Sequence, residues 1–368
     1  MERSDINQAF QSFINGDYTE EDLALVLSAV ADGTLNDADL TRCIERLSEE
    51  EVKDQELVQH IANNVERELM LKVRPTKVRK MYFLRYAAAI LIVLGIGIYR
   101  YVAQPVILPG KNSAVLTFDD GQEIALKENA QGFVNANGQI AYADGTAIRK
   151  DDKVLTAKLA TPRAGQYKVM LDDGTKVYLN AASVLSYPTR FVGATREVTL
   201  EGEAYFEVAK NPQKPFIVHV QQQKIQVLGT LFNVNAYSNE RFIKTTLVEG
   251  SVAVSESLHQ NKATLKPSQQ AIWDKGTSLT VVAVDPSEYT AWINGEIMLS
   301  SVELPEILRQ LERWYDVTFE DVPANLPTKT VFGVLDRTLS LKEILNTLEK
   351  NYGVKFKING RRIAIEVL

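Results

Sequence analysis

The sequence has few of the residues from which metal centres and nucleophilic active sites are commonly built. Its 368 residues include one cysteine, Cys43, and three histidines, His60, His219 and His259. The histidines have no cysteine partner at the spacing that zinc sites use. A single cysteine cannot form an internal disulfide, so the chain must fold without one. Metal catalysis is therefore not expected, and neither is a bound cofactor.

An excess of basic charge is missing as well. The chain carries 41 Lys and Arg against 47 Asp and Glu, and this net charge of −6 offers no general basic surface for nucleic acid. The sequence also lacks the G-x-S-x-G elbow, the H-E-x-x-H helix, the P-loop and the glycine-rich dinucleotide fingerprint. His219 stands in an alternating apolar run, which is typical of a partly buried strand residue. We expect Glu201, Glu203 and Glu207 at the surface or in local hydrogen bonds rather than as catalytic carboxylates.

What the chain does have is one apolar stretch, residues 81–103, far from either end. A helix needs about 20 apolar residues to cross a bilayer, and the charge-free run from Tyr86 to Tyr99 is shorter. Arg85 and Arg100 can extend their charged groups to the lipid headgroups, and aromatic residues occur at both edges. We therefore predict a transmembrane helix rather than a buried core helix. No small-x-small site follows the stretch, which argues against a cleaved signal peptide.

The charges that flank this stretch predict its orientation. The preceding segment, residues 72–80, is basic, and no acidic residue occurs between Leu71 and Tyr86. Basic residues are sparse on the other side. Because positively charged flanks stay in the cytoplasm, the N-terminus is predicted to be cytoplasmic and residues 104–368 to be exported.

Residues 1–71 have the pattern of a small bundle of short helices. Apolar residues recur at helical spacing. Ser4 is predicted to cap the first helix, and Thr19 followed by Asp22 to begin the second. The region contains 17 acidic and 5 basic residues, a net charge of −12. This charge indicates either a solvated acidic surface or a surface that binds a basic cytoplasmic protein; its sign excludes nucleic acid itself.

From about Gly165 the apolar residues occur at every second position, which predicts strands. Residues 167–171 and 176–179 flank Asp172-Asp173-Gly174, a hairpin signature. Further alternating runs cover residues 196–200, 204–209, 216–220, 225–228, 232–236, 244–248 and 252–255. Turn residues separate these runs, among them Glu201-Gly202.

These strands predict an all-β domain, a sandwich or a roll, over residues 165–285. Residues 104–164 are interpreted as a β-rich connecting segment. Within that segment, residues 114–126 are similar to the 169–179 hairpin. We therefore expect them to form another hairpin, packed on or near the same domain.

The last part of the chain, residues 286–368, contains an internal repeat with a period of 37 residues. Ile307, Leu308, Leu311, Glu312, Tyr315, Val317 and Phe319 recur as Ile344, Leu345, Leu348, Glu349, Tyr352, Val354 and Phe356. Each copy predicts an amphipathic helix that leads into a strand, and Ser340 with Glu343 forms a capping box. Further strands are predicted at residues 296–299, 330–335 and 362–367. The result is an α+β partner-binding domain of two βαβ halves, whose sheet edges suit strand addition.

Four sequence motifs follow one another in the exported part. They are Gly202–Ala209 (GEAYFEVA), Lys214–Val218 (KPFIV), Val227–Val234 (VLGTLFNV) and Leu247–Val254 (LVEGSVAV). Their order and spacing resemble the FecR family. The Trp292-x-x-Gly295 segment and the repeat after it are similar to the C-terminal domain of Bacteroidetes members and to the secretin and TonB short N-terminal domain. Leu299 stands where an aromatic residue is usual, and Ser268 where glycine is usual.

FecR members are membrane-spanning anti-sigma regulators, so the resemblance implies a partner at each end. Outside, the signalling domain of an outer-membrane TonB-dependent transporter would contact the periplasmic region, residues 104–368. The signal would cross through residues 81–103. In the cytoplasm, residues 1–71 would then release or activate an extracytoplasmic-function sigma factor and so regulate transcription. The implied location is the inner membrane, with a single pass, a cytoplasmic N-terminus and a periplasmic C-terminus.

Some members of the family cleave themselves at a Gly-Thr bond in the position of Gly229-Thr230. In that chemistry the threonine hydroxyl attacks the preceding carbonyl carbon, and water opens the resulting ester. Glycine suits such a site because it lacks a Cβ and admits strained backbone geometry. The alternative is a bulge at Gly229 and an ordinary strand residue at Thr230. Apart from this single-turnover reaction, the chain is not expected to be an enzyme.

A second class of protein stays open on the sequence alone. It is an inner-membrane-anchored periplasmic scaffold or adhesion protein whose cytoplasmic end has no sigma factor partner. Recovery of a sigma factor with residues 1–71 would separate the two classes.

Overall fold

The computed structural model describes residues 3–15, 17–31, 106–151, 153–256, 261–274, 278–300, 302–328 and 331–368. The chain divides into two compact units, Met1–Ile96 and Gly97–Leu368. Among the described residues, no helix has both the length and the apolar character needed to span a bilayer. The basic segment 72–80, the apolar stretch 81–103 and the helices predicted within residues 32–71 lie outside the described residues.

The described part of the first unit is a pair of packed helices, α1 (Arg3–Asn15) and α2 (Glu20–Ala31). Their shared core contains Ala9, Phe10, Phe13 and Val26. The predicted start of α2 is confirmed: the Thr19 N–H donates to the Asp22 carboxylate at 2.9 Å, and the Asp22 N–H donates to the Thr19 hydroxyl at 3.2 Å. The predicted cap at Ser4 is wrong, because α1 already begins at Arg3.

The second unit begins with a run of β-strands around one hydrophobic core. They are β1 (Lys111–Asn112), β2 (Val115–Phe118), β3 (Glu123–Ala125), β4 (Phe133–Ala136), β5 (Gln139–Tyr142), β6 (Ala147–Lys150), β7 (Thr156–Thr161), β8 (Gly165–Met170), β9 (Lys176–Leu179), β10 (Ser183–Pro188), β11 (Arg196–Glu207), β12 (Phe216–Val220), β13 (Gln223–Val227), β14 (Leu231–Ala236), β15 (Phe242–Glu249), β16 (Val252–Glu256), β17 (Lys262–Leu265), β18 (Gln269–Asp274) and β19 (Ser278–Ala283). Residues from β2 to β18 contribute to the same buried cluster. We call this region the β domain.

The predicted hairpins are confirmed. Strands β8 and β9 pair antiparallel across the Asp172-Asp173-Gly174 turn, and β2 pairs antiparallel with β3. Strand β2 also pairs with β7, so this hairpin is hydrogen-bonded into the β domain itself. The alternating side chains therefore gave the strands correctly at both places.

Strand β11 belongs to two sheets, and this sharing holds the β domain together. Its first half pairs with β10 and β12, whereas its second half, from Gly202 on, pairs with β14 and β9. The turn predicted at Glu201-Gly202 is wrong, because the strand runs through this point without reversing. Gly202 has a φ of +92°, and a Cβ there would lie 2.7 Å from the Cα of Ser183. Only glycine fits where β11 changes sheets.

The remaining elements form a C-terminal domain with its own core. They are α3 (Pro286–Thr290), a 3₁₀ turn (Ala291–Asn294), β20 (Glu296–Met298), α4 (Leu304–Tyr315), β21 (Thr318–Glu320), β22 (Val334–Asp336), α5 (Leu341–Tyr352), β23 (Val354–Asn359) and β24 (Arg362–Val367). The predicted capping box of Ser340 and Glu343 is present at the start of α5. The apolar residues of both repeat copies are buried together.

The repeat also places one carboxylate in the same role twice. Glu312 at the end of α4 accepts the Phe319 N–H at 2.9 Å, and Glu349 at the end of α5 accepts the Phe356 N–H at 2.8 Å. Each glutamate thus ties its helix to the strand that follows.

The pairing of strands differs from two self-contained βαβ halves. The strands on either side of α4, β20 and β21, lie in different sheets. Strand β20 pairs antiparallel with β22, while β21 pairs in parallel with β24, which also pairs antiparallel with β23. Both strands of the first copy therefore pair with strands of the second, whereas β23 and β24 of the second copy also pair with each other.

Candidate functional site

The Gly229-Thr230 bond lies in the short connection between β13 and β14. The carbonyl of Leu228 accepts the Asn211 N–H at 2.7 Å, and the carbonyl of Thr230 accepts the Val208 N–H at 3.0 Å. A Cβ at Gly229 would stand 2.6 Å from the Cα of Lys210. The bond is therefore held on both sides by the 208–211 segment, and its position requires glycine.

The side chain of Thr230 faces a shallow groove next to this bond. Thr230 is 2% exposed, and its hydroxyl donates to the Ser251 carbonyl at 3.1 Å. Of the described residues that line the groove, Lys210 is the one with a titratable side chain. The candidate nucleophile, the Thr230 hydroxyl, therefore directly follows a glycine whose position is sterically constrained. The hydroxyl proton is directed at a carbonyl oxygen rather than at a base.

A second constellation lies where the C-terminal domain packs on the β domain. The Glu203 carboxylate is 7% exposed and accepts from the Asn180 amide at 2.8 Å and from the Asn233 amide at 3.0 Å. The Trp292 indole N–H donates to the other end of the Asn233 amide at 3.2 Å. Burial raises the pKa of Glu203, and the two amide donors and nearby arginines oppose that rise. Of the two expectations for Glu203, a surface position or local hydrogen bonds, the structure shows hydrogen bonds in a buried position, and their partners lie 23 and 30 residues away along the chain.

Alongside Arg313, Arg337 provides one of the positive charges of this junction. It is 3% exposed and donates to the Trp292 carbonyl at 2.9 Å and to the Asn180 side-chain oxygen at 3.1 Å. Its guanidinium also lies 3.7 Å from the centre of the Trp314 ring. Burial lowers the pKa of Arg337 to about 10, so the group stays charged at neutral pH. Asn180 and Trp292 link it to Glu203, so opposite charges are placed in one buried polar network.

Ion pairs extend the junction toward its edge. Glu240 of the β domain accepts from Arg309 at 2.7 Å and from Arg313 at 3.1 Å, both on α4. Lys244 of β15 pairs with Glu306 at 2.7 Å. These contacts attach α4 to the sheet that contains β14, β15 and the second half of β11. They restrict movement of the C-terminal domain relative to the β domain.

The other candidate residues are placed apart from both constellations. Glu201 is exposed, and Glu207 pairs with Lys176 at 3.1 Å. His219 on β12 is partly exposed and contacts Glu197 at 2.9 Å. Within the described residues, no group of three metal-binding side chains comes together.

The C-terminal domain presents an apolar edge to solvent. Val334, the first residue of β22, is 51% exposed, and Phe332, two residues before the strand, is 88% exposed. In the described part of the chain, β22 is paired with β20 alone. An exposed aromatic residue next to an unpaired strand edge is a surface suited to a protein partner.

The second unit thus consists of a β domain and an α+β repeat domain that packs on it. Two regions of the chain match models of the FecR family. The model of the FecR protein matches residues 157–253, and the model of the FecR C-terminal region matches residues 296–365. No curated protein matches the chain.

Two crystal structures of a candidate anti-sigma factor from Parabacteroides distasonis ATCC 8503 are similar to the chain. One is 28% identical and covers 58% of this chain and 99% of its own, with a TM-score of 0.53. The other is 29% identical and covers 57% of this chain and 99% of its own, also with a TM-score of 0.53.

The sequence pointed to Glu203 only as a candidate catalytic carboxylate and gave no sign of the junction in which it lies. Trp292 was singled out only through the family resemblance, and no motif marks Asn180, Asn233 or Arg337. The sequence signal for Arg337 was weak, because an arginine two residues after a predicted apolar strand is an ordinary surface residue.

Proposed function

We propose that the chain is a transmembrane anti-sigma factor. It relays a signal from an outer-membrane TonB-dependent transporter to a cytoplasmic extracytoplasmic-function sigma factor. The observation that carries the proposal is the match of both FecR regions together with the similarity to the candidate anti-sigma factor structures. In this proposal the chain is a single-pass protein of the inner membrane, with residues 104–368 in the periplasm.

The outer end of the relay is assigned to the C-terminal domain. The apolar edge formed by Phe332 and Val334 supports this, since a strand of the transporter's signalling domain could add to β22. The junction of Glu203 and Arg337 then connects the partner-binding domain rigidly to the β domain.

The inner end of the relay is assigned to residues 1–71. Asp5, Asp17 and Glu21 on the described helix pair are exposed, in a region with a net charge of −12. A sigma factor binds DNA and so carries a basic surface, which such an acidic surface attracts.

Copurification tests the sigma factor partner. The full-length chain, extracted from membranes in detergent, is expected to copurify with an extracytoplasmic-function sigma factor that mass spectrometry identifies. A chain without residues 1–71 should not recover it. Recovery should decrease at about 1 M salt, because the Debye length falls to about 3 Å. Recovery of no sigma factor by the full-length chain would favour the periplasmic scaffold instead.

We also propose that Gly229-Thr230 is a self-cleavage site. The buried hydroxyl beside a position that only glycine fits supports this. Attack of the Thr230 oxygen on the Gly229 carbonyl carbon forms an ester C–O bond and breaks the peptide C–N bond, and the hydroxyl proton passes to the freed amine of Thr230. Water then opens the ester and restores the hydroxyl.

The Thr230→Ala variant is expected to abolish this cleavage, because it removes the attacking oxygen. Immunoblots against tags at both termini should show fragments 1–229 and 230–368 for the wild type and one full-length band for the variant. Thr230→Ser should still cleave, and Thr199→Ala, at an exposed position of β11, should behave as the wild type. A single full-length band for the wild type would contradict the proposal.

A further inference from the structure

The first described residues of the second unit, 106–112, run along the C-terminal domain before they enter the β domain. The Ile107 carbonyl accepts the N–H of Leu341 at 3.1 Å. Leu341 is the first residue of α5. The N–H groups in the first turn of a helix have no partner within the helix, so Ile107 supplies one that α5 would otherwise lack.

Side-chain packing strengthens this attachment. Ile107 packs against the hydrophobic core of the C-terminal domain, whereas the neighbouring Leu108 is 68% exposed. Gly110 lies against the Trp314 ring so closely that a Cβ would stand 2.7 Å from two ring carbons. Trp314 is itself held by its N–H bond to the Arg337 carbonyl at 2.9 Å. The segment therefore touches the same residues that form the junction.

The other end of the segment is bonded to the β domain. The Lys111 N–H donates to the Ala164 carbonyl at 3.0 Å, and β1 pairs in parallel with β8. The Ala164 N–H donates to the Arg313 carbonyl at 2.7 Å. Arg163 also donates to the carbonyls of Glu312 and Val317. The segment, the start of β8 and the end of α4 thus meet at one place.

We propose that residues 106–112 form a strap through which the C-terminal domain controls the chain that leads to the membrane. The strap begins three residues after the predicted span, 81–103. Its hold on the C-terminal domain consists of one backbone hydrogen bond to α5, one partly buried isoleucine and one close glycine contact with Trp314 of α4. These contacts can be exchanged for solvent without opening either core.

The apolar edge is joined to the strap by a short stretch of chain. Strand β22, which carries Val334, leads through Arg337 directly into the start of α5, where Ile107 is bound. The strap then has two states, one held against α5 and one released from it. A partner that binds β22 and shifts this connection has a different affinity for the two states, and a ligand can shift a conformational equilibrium only if its affinities differ in this way. The inference rests on the proposed function and adds its mode of regulation: partner binding releases the strap and so alters the span.

Two matched pairs of variants test the strap in the full-length chain. Ile107→Asp removes the packed side chain, and Leu108→Asp makes the same change at the exposed neighbour. Gly110→Ala forces overlap with Trp314, whereas a Cβ at Gly193 meets one atom at 4.0 Å, so Gly193→Ala is its control. Hydrogen exchange of the full-length chain in detergent measures the exchange rates of the backbone amides of Leu341 and Lys111. Transcript profiles in cells, compared with a deletion of the gene, measure signalling.

We expect Ile107→Asp and Gly110→Ala to exchange both amides at least about tenfold faster, as local opening would, while core strand β11 keeps its protection. The same two variants should shift the transcripts that depend on the gene, and the two controls should not. Unchanged exchange would overturn the strap as a held segment. Faster exchange with unchanged transcripts would overturn its signalling role. If the deletion itself changes no transcript, the proposed function fails, and the exchange result still decides whether the strap is held.

Discussion

Replacing Gly202 with alanine is expected to lower the free energy of unfolding by about 2–5 kcal/mol. The residue has a φ of +92°, and a Cβ would lie 2.7 Å from both Cα and Cβ of Ser183. The left-handed conformation costs a non-glycine residue about 1–2 kcal/mol, and steric overlap inside a packed region adds about 1–3 kcal/mol. The neighbouring atom is backbone, so it cannot rotate away. Because β11 changes sheets at this point, the strain falls on both sheets at once.

The matched control is Gly174→Ala in the hairpin turn. Gly174 has a φ of +84°, but no atom lies within 4 Å of its Cβ position. This variant should therefore show the conformational cost alone, about 1–2 kcal/mol. The free energy of unfolding of each variant is measured by urea unfolding followed by tryptophan fluorescence, since Trp273 is buried in the β domain. If the two variants lose the same free energy of unfolding, the close approach to Ser183 does not contribute to stability.

Replacing Arg337 with methionine is expected to cost about 3–5 kcal/mol, the range seen when one partner of a buried charge network is removed. Methionine keeps much of the side-chain length but loses the bonds to the Trp292 carbonyl and the Asn180 side chain. Glu203 would remain buried with one of the two arginines that offset its charge removed, since Arg313 is the other. Trp292 and Trp314 contact Arg337, so their fluorescence should report loosening of the junction before the β domain unfolds.

Arg362→Met is the control for this prediction. Arg362 lies in the same domain, its side chain is 68% exposed, and its carboxylate partner Glu320 is 3.5 Å away. Such surface pairs contribute about 0–1 kcal/mol. Combining Arg337→Met with Glu203→Gln should recover part of the loss, because the uncompensated carboxylate is removed. A cost for Arg337→Met no larger than that of the control would mean that the junction does not depend on its charges.

Local sequence signals predicted the local structure well. Thr19 with Asp22 and Ser340 with Glu343 mark helix starts because each bond spans three residues. The repeat predicted both C-terminal helices, since helical periodicity is contained within each copy. The prediction failed at Glu201-Gly202, where glycine permits a bend between sheets instead of a turn. Ser268, at the position where the family resemblance implies glycine, adopts a φ of +64°, a left-handed conformation that glycine adopts more readily than serine.

The candidate site was predictable only in part. The motif Val227–Val234 located Gly229 and Thr230, and the structure places them beside Lys210 and Ser251, which no sequence spacing relates to them. The buried network was not predictable. Asn180 and Arg337 are 157 residues apart, and either one would be ordinary on a surface.

The sequence by itself determined part of the elements: two helices at the N-terminus, strands such as β8, β9 and β12, the repeat and the family motifs, but not strands such as β10 and β18. These follow from side-chain periodicity and capping, which act over a few residues. Only the tertiary structure decided that β11 joins two sheets and that strands of one repeat copy pair with strands of the other. It also decided that Glu203 and Arg337 share one buried network and that residues 106–112 bind the start of α5. Such contacts depend on which surfaces meet when the chain packs, and the free energy of that packing belongs to the whole fold rather than to any short segment.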